Sequence, residues 1–178
     1  MPTGIRGARK APLTTGGTMT YPREEVKATV DRYHELRDRI DAGLEPDAFG
    51  ALADFYTDDA VYIDGAWGRL EGKETIAKWL VDSMLGLEDW KFPVEFVAIE
   101  GNDVVVKWTQ LLPRTRPDGT PYRQSAYSRL IYAGDGKFSY EEDMYNMAHV
   151  LEDIEASGWQ PNGPMNVPPA HPDRNFDV

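Results

Sequence analysis

Ala60-Val61-Tyr62-Ile63-Asp64 is the point at which the hydrophobic period of this chain changes from that of a helix to that of a strand. Alternate residues of a strand point to opposite faces, so Tyr62 and Asp64 share one face and Val61 and Ile63 the other. Upstream, Val26, Val30, Tyr33, Leu36 and Ile40 fall on one face of a helix. Pro22 sits in its first turn, Glu24 and Glu25 lie near its positive end, and Gly43 stops it. A shorter second helix begins near Pro46 and carries Phe49, Leu52 and Phe55. Downstream, Gly65, Gly68 and Gly72 break the chain around a short irregular stretch. A third helix is predicted over 73–87, with Ile76, Trp79, Leu80, Ser83, Met84 and Leu87 as its apolar stripe.

Beyond residue 87 the chain reads as strands and tight turns. Strands are predicted over 92–100, 103–112, 122–132 and 137–145, joined at Gly101-Asn102, Pro117-Asp118-Gly119 and Gly134-Asp135-Gly136. A short helix over 147–157 ends at Gly158. Helices first and a strand meander afterwards predict an α+β fold. Residues 1–19, rich in Gly, Thr and Pro, are read as a disordered head. Residues 20–158 form the domain, and 159–178, with five prolines and no period, form a C-terminal coil. That coil is either a mobile end or a lid.

Composition narrows the function classes. A chain of 178 residues that is 41% hydrophobic fits one domain with a core of its own. It contains no cysteine, which excludes disulfides, thiolate metal sites and cysteine nucleophiles. A formal charge of −11 disfavours nucleic acid, which needs clustered Lys and Arg, and favours solubility. No apolar run approaches the length of a membrane span. The first twenty residues hold Arg6, Arg9 and Lys10 without an apolar core, unlike a secretory signal; the cytoplasm is the expected compartment, with a transit peptide as the alternative. His34, His149 and His171 have no partner at metal-ligand spacing, and phosphate-binding glycine loops are absent. No metal, cofactor, nucleic acid or membrane partner is expected.

Three stretches carry a family resemblance. Phe55-Tyr56-Thr57-Asp58-Asp59-Ala60-Val61-Tyr62-Ile63-Asp64, Leu70-Glu71-Gly72-Lys73-Glu74-Thr75-Ile76 and Tyr140-Glu141-Glu142-Asp143-Met144-Tyr145-Asn146 resemble the helix-to-strand passage, third-helix start and closing strand of the nuclear transport factor 2-like superfamily. This superfamily includes the ketosteroid isomerases, SnoaL-like polyketide cyclases and limonene epoxide hydrolases. The resemblance spans about residues 26–155. It implies a cone: a curved, mixed or antiparallel sheet wrapped around three helices, as in a cystatin-like roll, with a central cavity for a small hydrophobic molecule. A homodimer through the outer face of the sheet, where Lys107 and Tyr127 stand, is implied as well.

The resemblance places Asp64 where the isomerases carry their general base, and a carboxylate in an apolar cavity gains basicity by desolvation. The alternative reading is a strand-end residue capping the Gly65 turn. Tyr33 matches the tyrosine that donates to the oxyanion, and is otherwise a core tyrosine. The second acid of the isomerases falls near Ser128, a weaker donor. Asp143 resembles an acid of the epoxide hydrolases, whose Tyr/Asn pair Tyr62 and Asp64 resemble. The remaining Arg and Asp of that triad fall near Trp108 and Gln110, so the triad is broken. Asp143 is otherwise a strand residue facing solvent beside Glu141 and Glu142. Tyr62, Trp67, Trp79, Met84, Phe96, Trp108, Ser128 and Tyr145 are expected to bind substrate. The expected activity is cofactor-free acid–base chemistry on a hydrophobic carbonyl compound of steroid, polyketide or terpenoid type, as an isomerase, dehydratase or cyclase-like lyase. The alternatives are a non-catalytic ligand- or partner-binding module and an epoxide hydrolase.

Overall fold

A computed structural model describes residues 13–15, 18–43 and 46–177. Helix α1 (Arg23–Gly43) buries Val26, Val30, Tyr33 and Ile40 along one face. Arg23 caps the Ile99 carbonyl, and Tyr132 donates its hydroxyl to Glu25 at 2.7 Å, which fixes the helix start against the sheet. A 3-10 helical segment (Pro46–Phe55) follows and buries Phe49 and Leu52. Strand β3 (Tyr56–Asp64) and strand β4 (Gly68–Glu71) form a hairpin. Helix α2 (Lys73–Asp82) packs on the 3-10 segment. Strands β5 (Val94–Glu100), β6 (Asp103–Thr115), β7 (Pro121–Gly134) and β8 (Lys137–Tyr145) form the meander, and helix α3 (Met147–Ser157) closes it.

The six strands form one mixed sheet in the order β4-β3-β8-β7-β6-β5, with β3 parallel to β8 and the other pairs antiparallel. The register slips between Val94 and Phe96, Leu111 and Thr115, and Ile131 and Tyr132. Such irregularities bend a strand and tighten its twist, and so curve the sheet around the helices. One core, with Leu52, Ile76, Val104 and Phe138 fully buried, lies between helices and sheet. A second joins Trp90, Phe92, Leu112, Tyr122, Val150 and Trp159. Burying each such side chain contributes about 1.5–3 kcal/mol. No described helix is long and apolar enough to cross a membrane.

The α+β architecture matches the expectation, with differences of detail. The stretch read as irregular after Asp64 contains β4, whose pairing Val61↔Glu71, Tyr62↔Leu70 and Ile63↔Arg69 escapes a period count because only four residues are involved. Helix α2 stops at Asp82 rather than at 87, and turns carry Met84 and Leu87 onward, with Gly86 at φ +84°. Most of the expected head lies outside the described residues. Within it, Leu13–Thr15 (β1) pairs antiparallel with Thr18–Thr20 (β2), three-residue strands too short to show a period.

The C-terminal coil has no regular structure, yet it is docked. Trp159 is buried against Trp90 and donates Nε1–H to Asp89. Asn166 reaches the Asp82 carbonyl at 3.0 Å, and Arg69 N–H donates to the Asp173 carbonyl at 2.7 Å. The tail thus runs along the end of α2 and covers the free edge of β4. Gly68, at φ +82°, has the Asp173 carbonyl where a Cβ would stand, so the close approach needs glycine on both counts.

Candidate functional site

Period two turns Glu141, Asp143 and Tyr145 of β8 toward the helices, and the sheet register decides what faces them. Ser128 of β7 lies opposite Asp143, and Ala126 lies opposite Tyr145. Across the next ladder, Val106 stands beside Ser128 and Trp108 beside Ala126. Tyr62 of β3 is aligned with Glu141. Ser128, a small residue in the middle of the sheet, borders space that its large neighbours do not fill. That recess measures about 30 Å³, and next to it lies a larger chamber of about 120 Å³ with which it shares Arg37, Phe92, Trp108 and Asp143.

Of the residues expected at the site, Tyr62, Asp64, Trp67, Trp79, Met84 and Tyr145 line the chamber. Trp108 and Asp143 line both spaces, while Tyr33 and Ser128 belong to the recess alone. Phe96 does not belong to the site. It pairs with Lys107 on the outer face and is 49% exposed, because Val97, in register with buried Val106, takes the inward position. His34 also lines the recess, beside Tyr33.

Asp64 is buried, and its two oxygens differ. Oδ1 accepts Ala66 N–H at 2.7 Å, Trp67 N–H at 2.8 Å and the Tyr145 hydroxyl at 2.9 Å. Oδ2 shares only the Tyr145 hydroxyl, at 3.1 Å. One oxygen thus caps the Gly65 turn, and the other, on a residue that lines the chamber, accepts from Tyr145 alone. Burial raises its pKa, against the Trp67, Ala66 and Tyr145 hydrogen bonds.

The other acids form a separate chain of contacts. Tyr33 and Tyr56 share a hydroxyl hydrogen bond at 3.3 Å, and Tyr56 donates to Glu141 Oε2. Tyr62 donates to Asp143 Oδ2 at 2.6 Å, and Ser128 donates to Asp143 Oδ1 while accepting Trp108 Nε1–H at 2.9 Å. Burial, reinforced by the charge of Asp143, pushes Glu141 up to about 8. Burial, reinforced by the charge of Asp64, pushes Asp143 up to about 6. Tyr33 is also raised, chiefly by burial. The geometry does not join Tyr33 to Asp64: the phenol is committed to Tyr56 in the recess, and Asp64 bonds Tyr145 instead.

Three residues at the site were not foreseen. Glu141, expected beside Asp143 on the solvent side, is 3% exposed. Its signal was there: it stands two residues before Asp143 on one strand. Gln110, noted only as a gap in the epoxide hydrolase pattern, lines the chamber. Arg37 lines both spaces, with its guanidinium 5.0 Å from the Phe92 ring centre and 5.4 Å from that of Phe49. It follows Tyr33 by four residues, the spacing of helical neighbours. Among the described residues, no three His, Asp or Glu side chains cluster as a metal site would require.

Comparison with known proteins agrees with the fold. No curated protein matches the chain. Solved structures share its fold at low identity. A protein from Jannaschia assigned to the SnoaL-like polyketide cyclases is 18% identical at a TM-score of 0.58, covering 75% of this chain and 93% of its own. A protein of ketosteroid isomerase-like fold from Catenulispora acidiphila, in complex with trimethylamine, is 18% identical at a TM-score of 0.53, with coverage of 72% and 97%. An epoxide hydrolase of M. tuberculosis is 15% identical at a TM-score of 0.53, with coverage of 75% and 92%. The SnoaL-like domain profile matches residues 23–140, and the chain therefore belongs to the SnoaL-like domain family, within the nuclear transport factor 2-like fold.

Proposed function

We propose that the chamber performs cofactor-free acid–base chemistry on a small carbonyl compound, as an isomerase, dehydratase or cyclase-type lyase. The observation that carries the reading is the meeting of Asp64 and Asp143 on the wall of one aromatic-lined chamber, with Asp64 Oδ2 left open toward it. Asp64 takes a proton from the carbon beside the carbonyl. The C–H electron pair passes to the carbonyl oxygen as an enolate, and the same proton returns at a second carbon, which regenerates the base. Asp143 in its protonated form donates a hydrogen bond to the enolate oxygen, a use of a raised carboxyl known from ketosteroid isomerase. The expected role of Tyr33 as direct oxyanion donor is replaced by one of support for the buried acids.

Size refines the substrate. An apolar cavity of about 150 Å³ takes up benzene. A chamber of about 120 Å³ therefore suits a compact ketone, or the reacting end of a longer molecule, rather than an entire steroid. The test is proton exchange and double-bond migration in cyclohex-3-enone and related small ketones, followed by NMR in deuterated water. Asp64→Asn and Asp143→Asn should each slow the reaction by about 100-fold or more while ligand binding persists. Unchanged rates in both variants would leave a ligand-binding module as the better reading. We also propose a homodimer through the outer sheet face, supported by the exposed side chains of Phe96, Tyr127 and Met144.

A further inference from the structure

Among the described residues, Arg37 is the one cationic side chain lining the chamber, and although Asp41 and Asp143 lie near enough to act on it, no hydrogen bond ties it to either. Its Nε is shut off from solvent and has no hydrogen-bond partner. The side chain takes part in none of the ion pairs among the described residues. A second residue lining the chamber, Trp79, has an Nε1 that is likewise buried and unpartnered. Buried donors are nearly always satisfied, and leaving one unmade costs about 1–3 kcal/mol. Both donors belong to residues that line one chamber, and Phe49 and Phe92 hold the guanidinium in place.

We propose that Arg37 and Trp79 Nε1 receive the carboxylate of the substrate, so that the compact carbonyl compound is an oxo acid. A guanidinium presents its N–H groups as a planar fork that matches a carboxylate, and it keeps its charge throughout the accessible pH range. The neighbouring acids do not exclude this occupant. Glu141 accepts from the Tyr56 hydroxyl, and the Asp143 oxygens accept from Ser128 and Tyr62. Asp64 is tied to the Gly65 turn and Tyr145, and its surroundings are set by Trp67, Ala66 and Tyr145 rather than by Arg37. Arg37 acts chiefly beside Tyr33, Asp41, Tyr62 and Asp143. The chamber thus sets Arg37, with Asp143 near it, apart from Asp64, which orients an oxo acid with its anionic group at Arg37 and its acidic C–H toward Asp64.

This inference rests on the acid–base reading for its carbonyl group, but its test is one of binding alone. Benzoate and benzamide have the same shape and differ in charge. Calorimetric titration of the intact protein with each should give benzoate at least about tenfold tighter. In Arg37→Met, benzoate should weaken by about tenfold or more while benzamide changes less than about twofold. Arg37→Lys should recover part of the benzoate affinity. Benzamide binding as tightly as benzoate to the wild-type protein would overturn the proposal. So would a preference for tetramethylammonium, or no binding of either ligand at millimolar concentration. The wild-type comparison decides even if a variant fails to fold. A protein that prefers benzoate but is indifferent to Asp64→Asn and Asp143→Asn would sink the acid–base reading and leave this one standing.

Discussion

Glu141 is a carboxyl that the fold holds in its neutral form, and stability must register that. Its ordinary pKa is about 4.3 in an unfolded chain, whereas burial and the charge of Asp143 push it up to about 8 in the folded one. Between those values the folded chain holds a proton that the unfolded chain has released, so folding stability falls as pH rises through the window. Below about pH 4 both states are protonated and the penalty vanishes. Asp143 acts in the same direction over a lower and narrower range. Glu141→Gln keeps the shape and removes the titration. Its stability relative to the wild-type protein should therefore rise by about 1–3 kcal/mol between pH 5 and pH 8, as read by urea unfolding at each pH. Parallel curves for the two proteins would contradict the assignment. The residue scale also shows where a single sequence stops being informative. Period two placed Tyr62 and Asp64 on one face correctly, because a strand offers only two faces. It could not place Arg37, because facing Phe92 from a helix depends on how α1 lies across the sheet.

At the scale of elements, turns and long periodic runs were legible and short pairings were not. The limits of β8 and α3 coincide with Gly136 before, Asn146 between and Gly158 after them, residues whose backbone chemistry ends or caps an element. Phe96 shows the opposite case. A register slip between Val94 and Phe96 sets which residues of β5 face inward, and the slip belongs to the pairing with β6 rather than to β5 itself. The tail was legible only as the absence of a period. What holds it is Trp159, which is 1% exposed, stacks edge-on against Trp90 at 5.3 Å, and bonds Asp89. Trp159→Ala should cost about 3–5 kcal/mol in unfolding free energy, the range for truncating a buried aromatic. It should also make the chain beyond residue 159 readily cleaved by protease. A loss below about 1 kcal/mol would mean that the second core closes without the tail.

At the scale of the whole molecule, the inner face of the sheet is consumed by the chamber and its helices, which leaves the outer face to be accounted for. One cross-strand row there runs through Phe96, Lys107, Tyr127 and Met144. Phe96, Tyr127 and Met144 are 49%, 43% and 64% exposed, with Val105 beside them at 37%. Contiguous exposed apolar side chains of this size mark an interaction surface more often than a bare one. Lys107 does not spoil the row, since its ammonium is drawn aside to Glu95 and its stem covers apolar surface. A sheet face meeting its own copy about a two-fold axis would place this row against itself, an arrangement that closes without leaving an open end. Light scattering on the eluting protein should then give twice the mass of one chain. The paired change Phe96→Glu and Met144→Glu puts like charges face to face at the row, and should halve that mass without altering benzoate affinity, because neither residue lines the chamber. A wild-type protein that elutes as a single chain at micromolar concentration, or a dimer indifferent to both charges, would remove the outer face from consideration as the interface.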